Sequence, residues 1–234
     1  MKKNKKNFTN NKIANMKLEN ALIFLDSLQN NNNRNWFNEN KEKYNSAKSE
    51  FETFVSEVII NLRAIDSSVG DMAAKDCMFR INRDVRFSNN KEPYKNNFGA
   101  FMAKEGRKSI YAGYYIHLEP HNSFIGGGIY MPEAKNLNAI RQHIYDNYIE
   151  FKKILENKTF KSYFPEIYGE KLKTAPKGFP KDFEGIDLLK HKHYAVTFPV
   201  DNKFWSKPDL VKNVMKVFEQ LSVYNKFINL AFES

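Results

Sequence analysis

The sequence predicts an α+β fold, in which a mostly antiparallel sheet is flanked by N-terminal, middle and C-terminal helices. Apolar residues recur at helical spacing near both ends of the chain and once in the middle. The segments between them alternate with period two or are rich in aromatic and β-branched residues. Strands clustered between helices are typical of an α+β domain. We predict that residues 17–234 form this single domain and that residues 1–16 are a basic disordered tail.

Three of the predicted helices follow from apolar stripes. Leucines at 18, 22, 25 and 28 predict a helix over residues 17–29, ended by the Asn-rich run 30–33. A stripe from Tyr44 to Ile65 predicts a longer helix of about six turns. Residues 134–157 return to helical spacing.

The sequence also signals where the last helix begins. Ser206 is the predicted cap, Pro208 suits the first turn, and Asp209 stands three residues after the cap. Apolar residues from Leu210 to Leu221 then supply the buried face.

Strand candidates occupy the middle of the chain and one later segment. A strand begins near Phe79, where apolar and polar residues alternate. The other candidates are residues 98–104, 110–119, 123–131 and 192–198, and residues 120–123 are a predicted hairpin connection.

Composition limits the class of protein. With 234 residues and 41% apolar content, the chain can fill a substantial core. No apolar run is long enough to span a membrane, and the N-terminus lacks the apolar region of a secretory signal, so we predict a cytoplasmic protein without membrane contact. The single cysteine, Cys77, excludes an intramolecular disulfide and is predicted to be a small core residue.

The formal net charge of +10 has two interpretations. It would attract polyanions such as nucleic acid through long-range electrostatics. It would also arise without any such partner in a genome whose codons drift toward Lys and Asn, as the run "NNNRN" suggests.

Several segments, in this order, resemble one known family. They are "NNNRNWFNENKEKY", "FRINRDVRFSNNKEPYK", "YYIHLEPHNSFIGGGIYMP" and "LKTAPKGF...LLKHKHYAV". From about residue 18 to 230 the chain looks like the conserved bacterial family called domain of unknown function 2461. The resemblance implies a shared single-domain fold; it implies no activity, because the family is defined by sequence.

The arginine loop, residues 79–95, carries arginines at every third position. In a regular strand, Arg83 would share a face with Phe79 and Ile81, and burial of an unpaired guanidinium is prohibitive. Either a carboxylate pairs with it, a bulge turns it outward, or the strand ends near residue 83. We favour a structured loop after residue 83.

We predict that this loop binds an anion. Arg80, Arg83, Arg86, Lys91 and Lys95 outnumber the local acids Asp84 and Glu92 by five to two. Arginine forks and lysine charges recognise phosphate or carboxylate. The predicted ligand-binding residues of the loop are Arg80, Arg83, Asp84, Arg86, Ser88, Lys91, Tyr94 and Lys95, of which Ser88 and Tyr94 would orient the ligand. The alternative is a structural clamp in which the cations pair with the acids.

A second candidate group lies on the strand "YYIHLE". Tyr115, His117 and Glu119 share one strand face, and a histidine beside a carboxylate can act as a general base. These three are the predicted catalytic residues. The alternative is an exposed sheet face with ordinary polar residues, so the sequence leaves open whether the protein is an enzyme.

Glycines and histidines mark two further segments. Gly126, Gly127 and Gly128 interrupt a strand pattern, which indicates close approach either of a ligand or of a helix. His191 and His193 would share a strand face, but no third ligand stands at a recognisable spacing, so we predict surface residues and no metal. No nucleotide-binding motif is present, and we predict no cofactor.

The predicted function is therefore binding of a phosphate- or carboxylate-bearing small molecule between the arginine loop and the polar sheet face. The alternative function is a nucleic-acid-binding module that uses the same loop, the lysine tail and surface aromatics. A third interpretation is a scaffold for protein partners with a purely structural loop. The sequence does not indicate the oligomeric state.

Overall fold

The computed structural model describes residues 16–86 and 89–233. Its α-helices are α1 (Glu19–Gln29), α2 (Arg34–Glu39), α3 (Lys41–Leu62), α4 (Ala74–Cys77), α5 (Ala134–Asp146), α6 (Tyr148–Glu156), α7 (Lys158–Tyr163), α8 (Ile186–Leu189) and α9 (Leu210–Asn229). Its strands are β1 (Phe98–Met102), β2 (Gly113–Leu118), β3 (Phe124–Ile129) and β4 (Tyr194–Pro199). Short 3₁₀ helices span Ser67–Val69, Asn202–Ser206 and Leu230–Phe232.

The four strands form one antiparallel sheet in the order β1-β2-β3-β4. This arrangement confirms the predicted α+β class. In the register, Tyr115 lies opposite Phe101 and Gly126. His117 lies two residues further along, opposite Gly99 and Phe124, so the polar side chains of β2 share a face with small and aromatic residues of its neighbours.

Helices α3 and α9 cover the opposite face of the sheet. Tyr114 of β2 packs against Phe218 of α9 with ring centroids 5.0 Å apart, and Phe98 of β1 stacks on Phe51 of α3 at 5.5 Å. These side chains belong to a hydrophobic cluster that extends from Leu18 to Ile228. Cys77 is fully buried in that cluster, as predicted, and burial raises the pKa of its thiol to about 11.

The start of the last helix differs from the prediction. Ser206 ends a 3₁₀ helix that begins after Asp201, whose carboxylate accepts a hydrogen bond from the Phe204 amide at 2.9 Å. This separate turn buries Phe204 and Trp205 in the core. Helix α9 begins only at Leu210, after Asp209 with φ +55°. Ser206 is therefore not its cap, because the earlier Asp201 starts a competing turn.

Two other predicted elements are shorter or divided. The middle helix breaks at Asn147, which has φ −122° and donates its side-chain amide to the His143 carbonyl at 3.0 Å. That bond competes with continuation of the helix. In its described residues, the predicted strand near Phe79 forms only isolated bridges, Met78 to Ala100 and Asn82 to Tyr94.

Within residues 16–86 and 89–233, no helix is long and apolar enough to cross a membrane. The predicted tail falls almost entirely on residues 1–15, which lie outside the described residues. Its disorder and the division into tail and single domain remain predictions.

Candidate functional site

The arginine loop leaves the sheet at the edge of β1 and returns to it. The Phe79 amide donates to the carbonyl of Gly99 in β1 at 2.9 Å. Further out, the Arg83 amide donates to the Pro93 carbonyl at 2.9 Å, and the Lys95 amide donates to the Ile81 carbonyl at 2.8 Å. The described part of the segment is thus a hairpin-like loop, which confirms the interpretation that we favoured over a regular strand.

One asparagine from the N-terminal region holds the returning arm of this loop. The Asn32 amide group donates to the Tyr94 carbonyl at 3.0 Å, and the Asn32 carbonyl oxygen accepts from the Tyr94 amide at 3.2 Å. Asn32 also donates to the Asn96 side chain at 2.8 Å. Its side chain therefore substitutes for a neighbouring strand. Neighbouring Asn33 caps α2 by accepting from the Trp36 amide at 3.0 Å.

Three of the predicted anion-binding cations have partners inside the loop. Arg83 lies 3.7 Å from the Glu92 carboxylate and donates to the Tyr94 carbonyl. Arg86 makes a two-pronged ion pair with Asp84, at 2.7 and 3.0 Å, which holds the pKa of that exposed carboxyl at about 2. Lys91 donates to the Val85 carbonyl at 3.1 Å. These contacts are of the kind expected for a structural clamp, which was the alternative to an anion-binding loop.

Tyr94 and Ser88 complete the predicted loop residues. The Tyr94 ring is buried and stacks on Phe37 with centroids 3.9 Å apart, so its main contacts are with the core. Ser88 lies outside the described residues. The ligand-orienting role of both residues remains a prediction.

A second group of cations, the edge cations Arg80, Lys95 and Arg107, lies where the loop meets the sheet. Lys95 and Arg107 approach the Phe79 ring, at 5.6 and 5.8 Å from its centroid. Partial burial lowers the pKa of Lys95, and the charges of Arg80, Arg83 and Arg107 lower it further. Over residues 16–86 and 89–233, no carboxylate lies within 4.0 Å of an edge cation. Arg107 donates to the Met78 carbonyl.

Tyr115, His117 and Glu119 form a continuous hydrogen-bonded relay. The Tyr115 hydroxyl lies 3.1 Å from His117 Nδ1, and His117 Nε2 lies 2.9 Å from Glu119 Oε2. The Asn97 side chain approaches the same Nδ1 at 3.4 Å. The period-two pattern predicted a shared face, and the structure brings the three side chains into direct contact.

The charge of Glu119 orients this relay. The hydrogen bond from His117 lowers the pKa of Glu119 and outweighs its partial burial, with a further bond from Asn122 at 2.9 Å. An ionised Glu119 accepts a hydrogen bond from the Nε2–H group of His117, which leaves Nδ1 to accept one from the Tyr115 hydroxyl. Burial, together with the charge of Glu119, raises the pKa of Tyr115 to about 12, so this hydroxyl is protonated at neutral pH and can donate a hydrogen bond.

Aromatic contacts fix the positions of the relay side chains. The His117 ring stacks on Phe124 with centroids 4.6 Å apart and planes 12° apart. The rings of Phe79 and Tyr115 form a T-shaped pair with centroids 6.2 Å apart. Gly99 provides the space for Tyr115, because a Cβ at Gly99 would lie 2.6 Å from the hydroxyl. Phe79 thus contacts both the relay and two of the edge cations.

The three glycines of β3 are explained by close contact with protein backbone. A Cβ on Gly126 would lie 2.4 Å from the Val196 carbonyl oxygen, and one on Gly127 would lie 2.3 Å from the Gly113 oxygen. Gly128 has φ +91°, and a Cβ there would lie 2.0 Å from the Tyr194 oxygen. Helix α9 also approaches, through Leu221 at 3.2 Å from the Gly127 position. A ligand-binding role for these glycines remains a prediction.

The two histidines near β4 have different environments. His193 accepts a hydrogen bond from the Met131 amide at 3.0 Å and is half-buried. His191 is only 4% exposed, so the prediction of a surface residue is wrong for it. In the part of the chain that the structure describes, no three His, Cys, Asp or Glu side chains are grouped as a metal site would require.

Four residues of this region were not identified from the sequence. The pairing of β1 with β2, together with the turn between them, brings Arg107, Asn97 and Gly99 to the site. A single sequence does not specify that pairing. Asn32 stood in the "NNNRN" run, which we had interpreted as compositional drift. Its signal was the position of a short polar run between two helices, where side chains hydrogen-bond to backbone.

Comparison with known proteins identifies a family. The family model described as "Conserved hypothetical protein (DUF2461)" matches residues 20–227, which is most of the chain and includes the relay and the arginine loop. No curated protein and no solved structure matches the chain. The match confirms the resemblance that the ordered motifs indicated: the chain belongs to the DUF2461 family.

Proposed function

We propose that the protein binds a small molecule bearing a phosphate or carboxylate group, with the anion held by the edge cations and the rest of the molecule lying over the relay. Arg80 and Arg107 would offer guanidinium forks, and Lys95 would offer a point charge. The cytoplasmic location predicted from composition belongs to the same proposal.

The observation that carries this proposal is the division of the cations into two groups. Arg83, Arg86 and Lys91 have partners within the loop, whereas the edge cations have no carboxylate within 4.0 Å among the described residues. Mutual repulsion acts on Lys95, whose pKa is lowered by burial and by the neighbouring arginines. A bound anion would relieve that repulsion and receive charge-assisted hydrogen bonds.

The relay supplies the chemistry of a proton donor and acceptor. Neutral His117 would take a proton from the attacking nucleophile through Nδ1, directly or by way of the Tyr115 hydroxyl, and Glu119 would stabilise the imidazolium that forms. The imidazolium would then return the proton from Nδ1 to the leaving-group oxygen. The reaction class that suits an anionic substrate is hydrolysis or transfer at a phosphoryl or acyl centre. None of the described residues near the relay is an activated serine or cysteine, so water or a second substrate would be the nucleophile.

Thermal unfolding in the presence of small anions tests the proposal. The panel contains inorganic phosphate, sugar phosphates, nucleotides and small carboxylates, because binding to the native state raises the unfolding midpoint by mass action. We expect at least one class to raise the midpoint of the wild type and to lose most of that effect in Lys95→Met. Lys91→Met is the matched control, since Lys91 lies in the same loop but donates to the Val85 carbonyl.

Two results would count against the small-molecule site. The first is that no compound raises the midpoint of the wild type. The second is that Lys91→Met and Lys95→Met reduce the effect equally, which would indicate general attraction to a basic surface.

Nucleic-acid binding is a second candidate function, and one observation favours it. The sheet face that carries the relay also presents the partly exposed aromatic rings of Phe101, Tyr115 and Phe124 on adjacent strands, beside the edge cations. Aromatic sheet faces stack nucleobases in several binding modules. This function is distinguished by salt: affinity for oligonucleotides would fall steeply as salt rises, because several counterions are released.

A further inference from the structure

The charge beside the relay limits the ligands that this site can take. The arginine loop, together with Arg107 and Glu119, whose charges interact with it, contains six cations and three carboxylates. The cations are Arg80, Arg83, Arg86, Lys91, Lys95 and Arg107, and the carboxylates are Asp84, Glu92 and Glu119. Asp84 and Glu92 pair within the loop, and Glu119 pairs with neutral His117. The excess is therefore three positive charges.

The edge cations act on one another and are accessible. The charges of Arg80 and Arg107 lower the pKa of Lys95, and both Lys95 and Arg107 approach the Phe79 ring. The charge of Arg80 also acts on Asp84, but that carboxylate is already paired within the loop. Arg80 is exposed, and Lys95 and Arg107 are half-buried, so a ligand in solvent can reach all three.

Three neighbouring cations match a phosphate monoester better than the other anions. A phosphate monoester carries a charge of about −1.5 to −2 at neutral pH and three terminal oxygens that accept hydrogen bonds. A carboxylate or a phosphate diester carries a single negative charge and two such oxygens. Arg80, Lys95 and Arg107 can supply a donor for each of the three oxygens, and the dianion neutralises more of the excess charge.

The sheet face next to these cations offers aromatic surface and few polar partners. Apart from Tyr115 and His117 of the relay, the strand residues on this face are Phe101, Phe124, Ala195, Thr197, Pro199 and the glycines Gly99, Gly113, Gly126 and Gly128. Thr197 is the one polar side chain in this group. The hydroxyls of a sugar would need hydrogen-bond partners here, whereas a planar aromatic group needs only a ring to stack on.

Phe101 provides such a ring. It is partly exposed and leans across β2, because a Cβ at Gly113 would lie 2.8 Å from Phe101 Cζ. Tyr115, its partner in the register, leans the other way over Gly99, and no described aromatic ring packs against Phe101. Gly99 is bonded to Phe79 and lies about 7 Å along the strand from Phe101 on the same face, so a group attached to an anion at the edge cations can reach this ring.

We propose that the ligand is a phosphate monoester of a planar aromatic group, an inference that rests on the proposed function. The edge cations bind the three terminal oxygens of the phosphate, and the aromatic group stacks on Phe101. The Tyr115 hydroxyl lies over Gly99 between these two contacts, so the ester oxygen faces the relay. Sugar phosphates and small carboxylates each lack one of the two features and bind more weakly.

Four small compounds test the two features separately by calorimetric titration at neutral pH and constant ionic strength. Phenyl phosphate has both features. Phenyl sulfate and benzoate keep the ring but carry a single charge, and glycerol 1-phosphate keeps the dianion but lacks the ring. We expect phenyl phosphate to bind roughly tenfold more tightly than each of the other three.

Two variants locate the contacts. Phe101→Leu keeps an apolar side chain but removes the ring, so we expect roughly fivefold weaker binding of phenyl phosphate and unchanged binding of glycerol 1-phosphate. Phe179→Leu is the matched control with wild-type binding, because Phe179 packs against Tyr145 of α5. Lys95→Met should weaken the binding of both phosphates, and Lys91→Met should weaken neither.

The outcomes distinguish this proposal from the proposed function. If none of the four compounds binds, or if Lys95→Met and Lys91→Met weaken binding equally, the anion site is absent and both proposals are wrong. Benzoate or phenyl sulfate that binds as tightly as phenyl phosphate, and depends on Lys95, would leave the anion site intact and overturn the phosphate monoester. Equal binding of the phenyl and glycerol phosphates, or unchanged binding of phenyl phosphate to Phe101→Leu, would overturn the aromatic group.

Discussion

Glu119 is stabilised in its ionised form by His117, and this makes stability depend on pH. The hydrogen bond from His117 lowers the pKa of Glu119, so the unfolded chain takes up a proton first as pH falls. The stability contributed by Glu119 is therefore complete above the ordinary pKa of glutamate and is lost as pH falls through the lowered value. We expect wild type and Glu119→Gln to differ by about 1 kcal/mol at neutral pH and to converge between about pH 5 and pH 3.

Urea unfolding at a series of pH values measures this convergence. Glu39→Gln is the control, because Glu39 is exposed at the end of α2. A difference between wild type and Glu119→Gln that stays constant down to acid pH would mean that the charge of Glu119 contributes nothing to the fold.

His191 destabilises the protein in acid for a different reason. Burial lowers its pKa to about 4, and the charges of Lys171 and His193 add to this against the opposing effect of Asp187. The unfolded chain binds a proton at the ordinary histidine pKa, so stability falls between about pH 6.5 and pH 4 and then levels off. We expect this group to remove about 3 kcal/mol across that interval.

The test for His191 is denaturant unfolding of the wild type and its variants at a series of pH values. His191→Gln should flatten the pH dependence in this interval, and His121→Gln, at an exposed position, should leave it unchanged. Equal slopes in wild type and His191→Gln would contradict the neutral, buried state.

These two residues show what single positions reveal in a sequence. The relay was predicted because strand periodicity alone places alternate residues on one face. The burial of His191 was missed because its neighbours in "LKHKHY" are polar. Its carbonyl accepts a hydrogen bond from Arg141 of α5, which is far away in the chain, and the local pattern contains no information about such a contact.

At the scale of elements, the arginine loop depends on one side chain from another segment. Asn32 is hydrogen-bonded to both backbone groups of Tyr94. Removing it leaves these partly buried groups unsatisfied, so we expect Asn32→Ala to lower the free energy of unfolding by about 1–3 kcal/mol. Asn31→Ala should change it by less than about 0.5 kcal/mol, because the Asn31 side chain bonds the Ser27 carbonyl at an exposed position.

Chemical denaturation of both variants is the measurement. Equal stabilities for Asn32→Ala and Asn31→Ala would show that the loop is held by its own ion pairs and not by the N-terminal region.

Gly128 and Gly106 separate backbone strain from steric contact. Both have positive φ, +91° and +84°, but a Cβ at Gly128 would meet the Tyr194 oxygen whereas nothing lies within 4 Å at Gly106. We expect Gly106→Ala to lower the free energy of unfolding by roughly 1–2 kcal/mol from backbone strain alone. Gly128→Ala should lower it by more than about 3 kcal/mol, because β4 must also move.

Thermal or denaturant unfolding of the two alanine variants distinguishes these contributions. Similar losses at both positions would mean that β4 shifts easily away from β3, and the close contact of the strands would then not explain the glycine run.

The same scale shows where element prediction succeeds. Strands β1, β2 and β3 lie within their predicted segments, and β4 extends one residue beyond its segment, because aromatic and β-branched residues there coincide with alternation. Residues 79–95 begin with the alternating sequence pattern of a strand, but their described part is a loop. Arg83 is paired with Glu92 there, and Asn32 takes the place of a neighbouring strand. The predicted helix boundaries were wrong where an Asp or Asn side chain hydrogen-bonds to the backbone in competition with the helix, as at Asp201 and Asn147.

For the whole molecule, the α+β class and its antiparallel sheet were predictable, and the composition of the site was predictable in part. The sequence identified the relay and most of the cations because both groups are local. It did not reveal which cations are neutralised, since that depends on Glu92 and Asp84 folding back within the loop. The contacts of Arg107 with Phe79 and of Arg141 with His191 join segments that are distant in the sequence, so neither arginine was identified from the sequence.

The most direct test of the central claim is whether an anion held by the edge cations affects the relay. The ring-nitrogen signals of His117 are followed while inorganic phosphate, and then the compound that stabilises the protein most, is added to wild type, Lys95→Met and Lys91→Met. We expect a saturating change in wild type and Lys91→Met, with roughly tenfold weaker binding in Lys95→Met. A His117 signal that stays constant, or two variants that weaken binding equally, would contradict an anion site beside the relay.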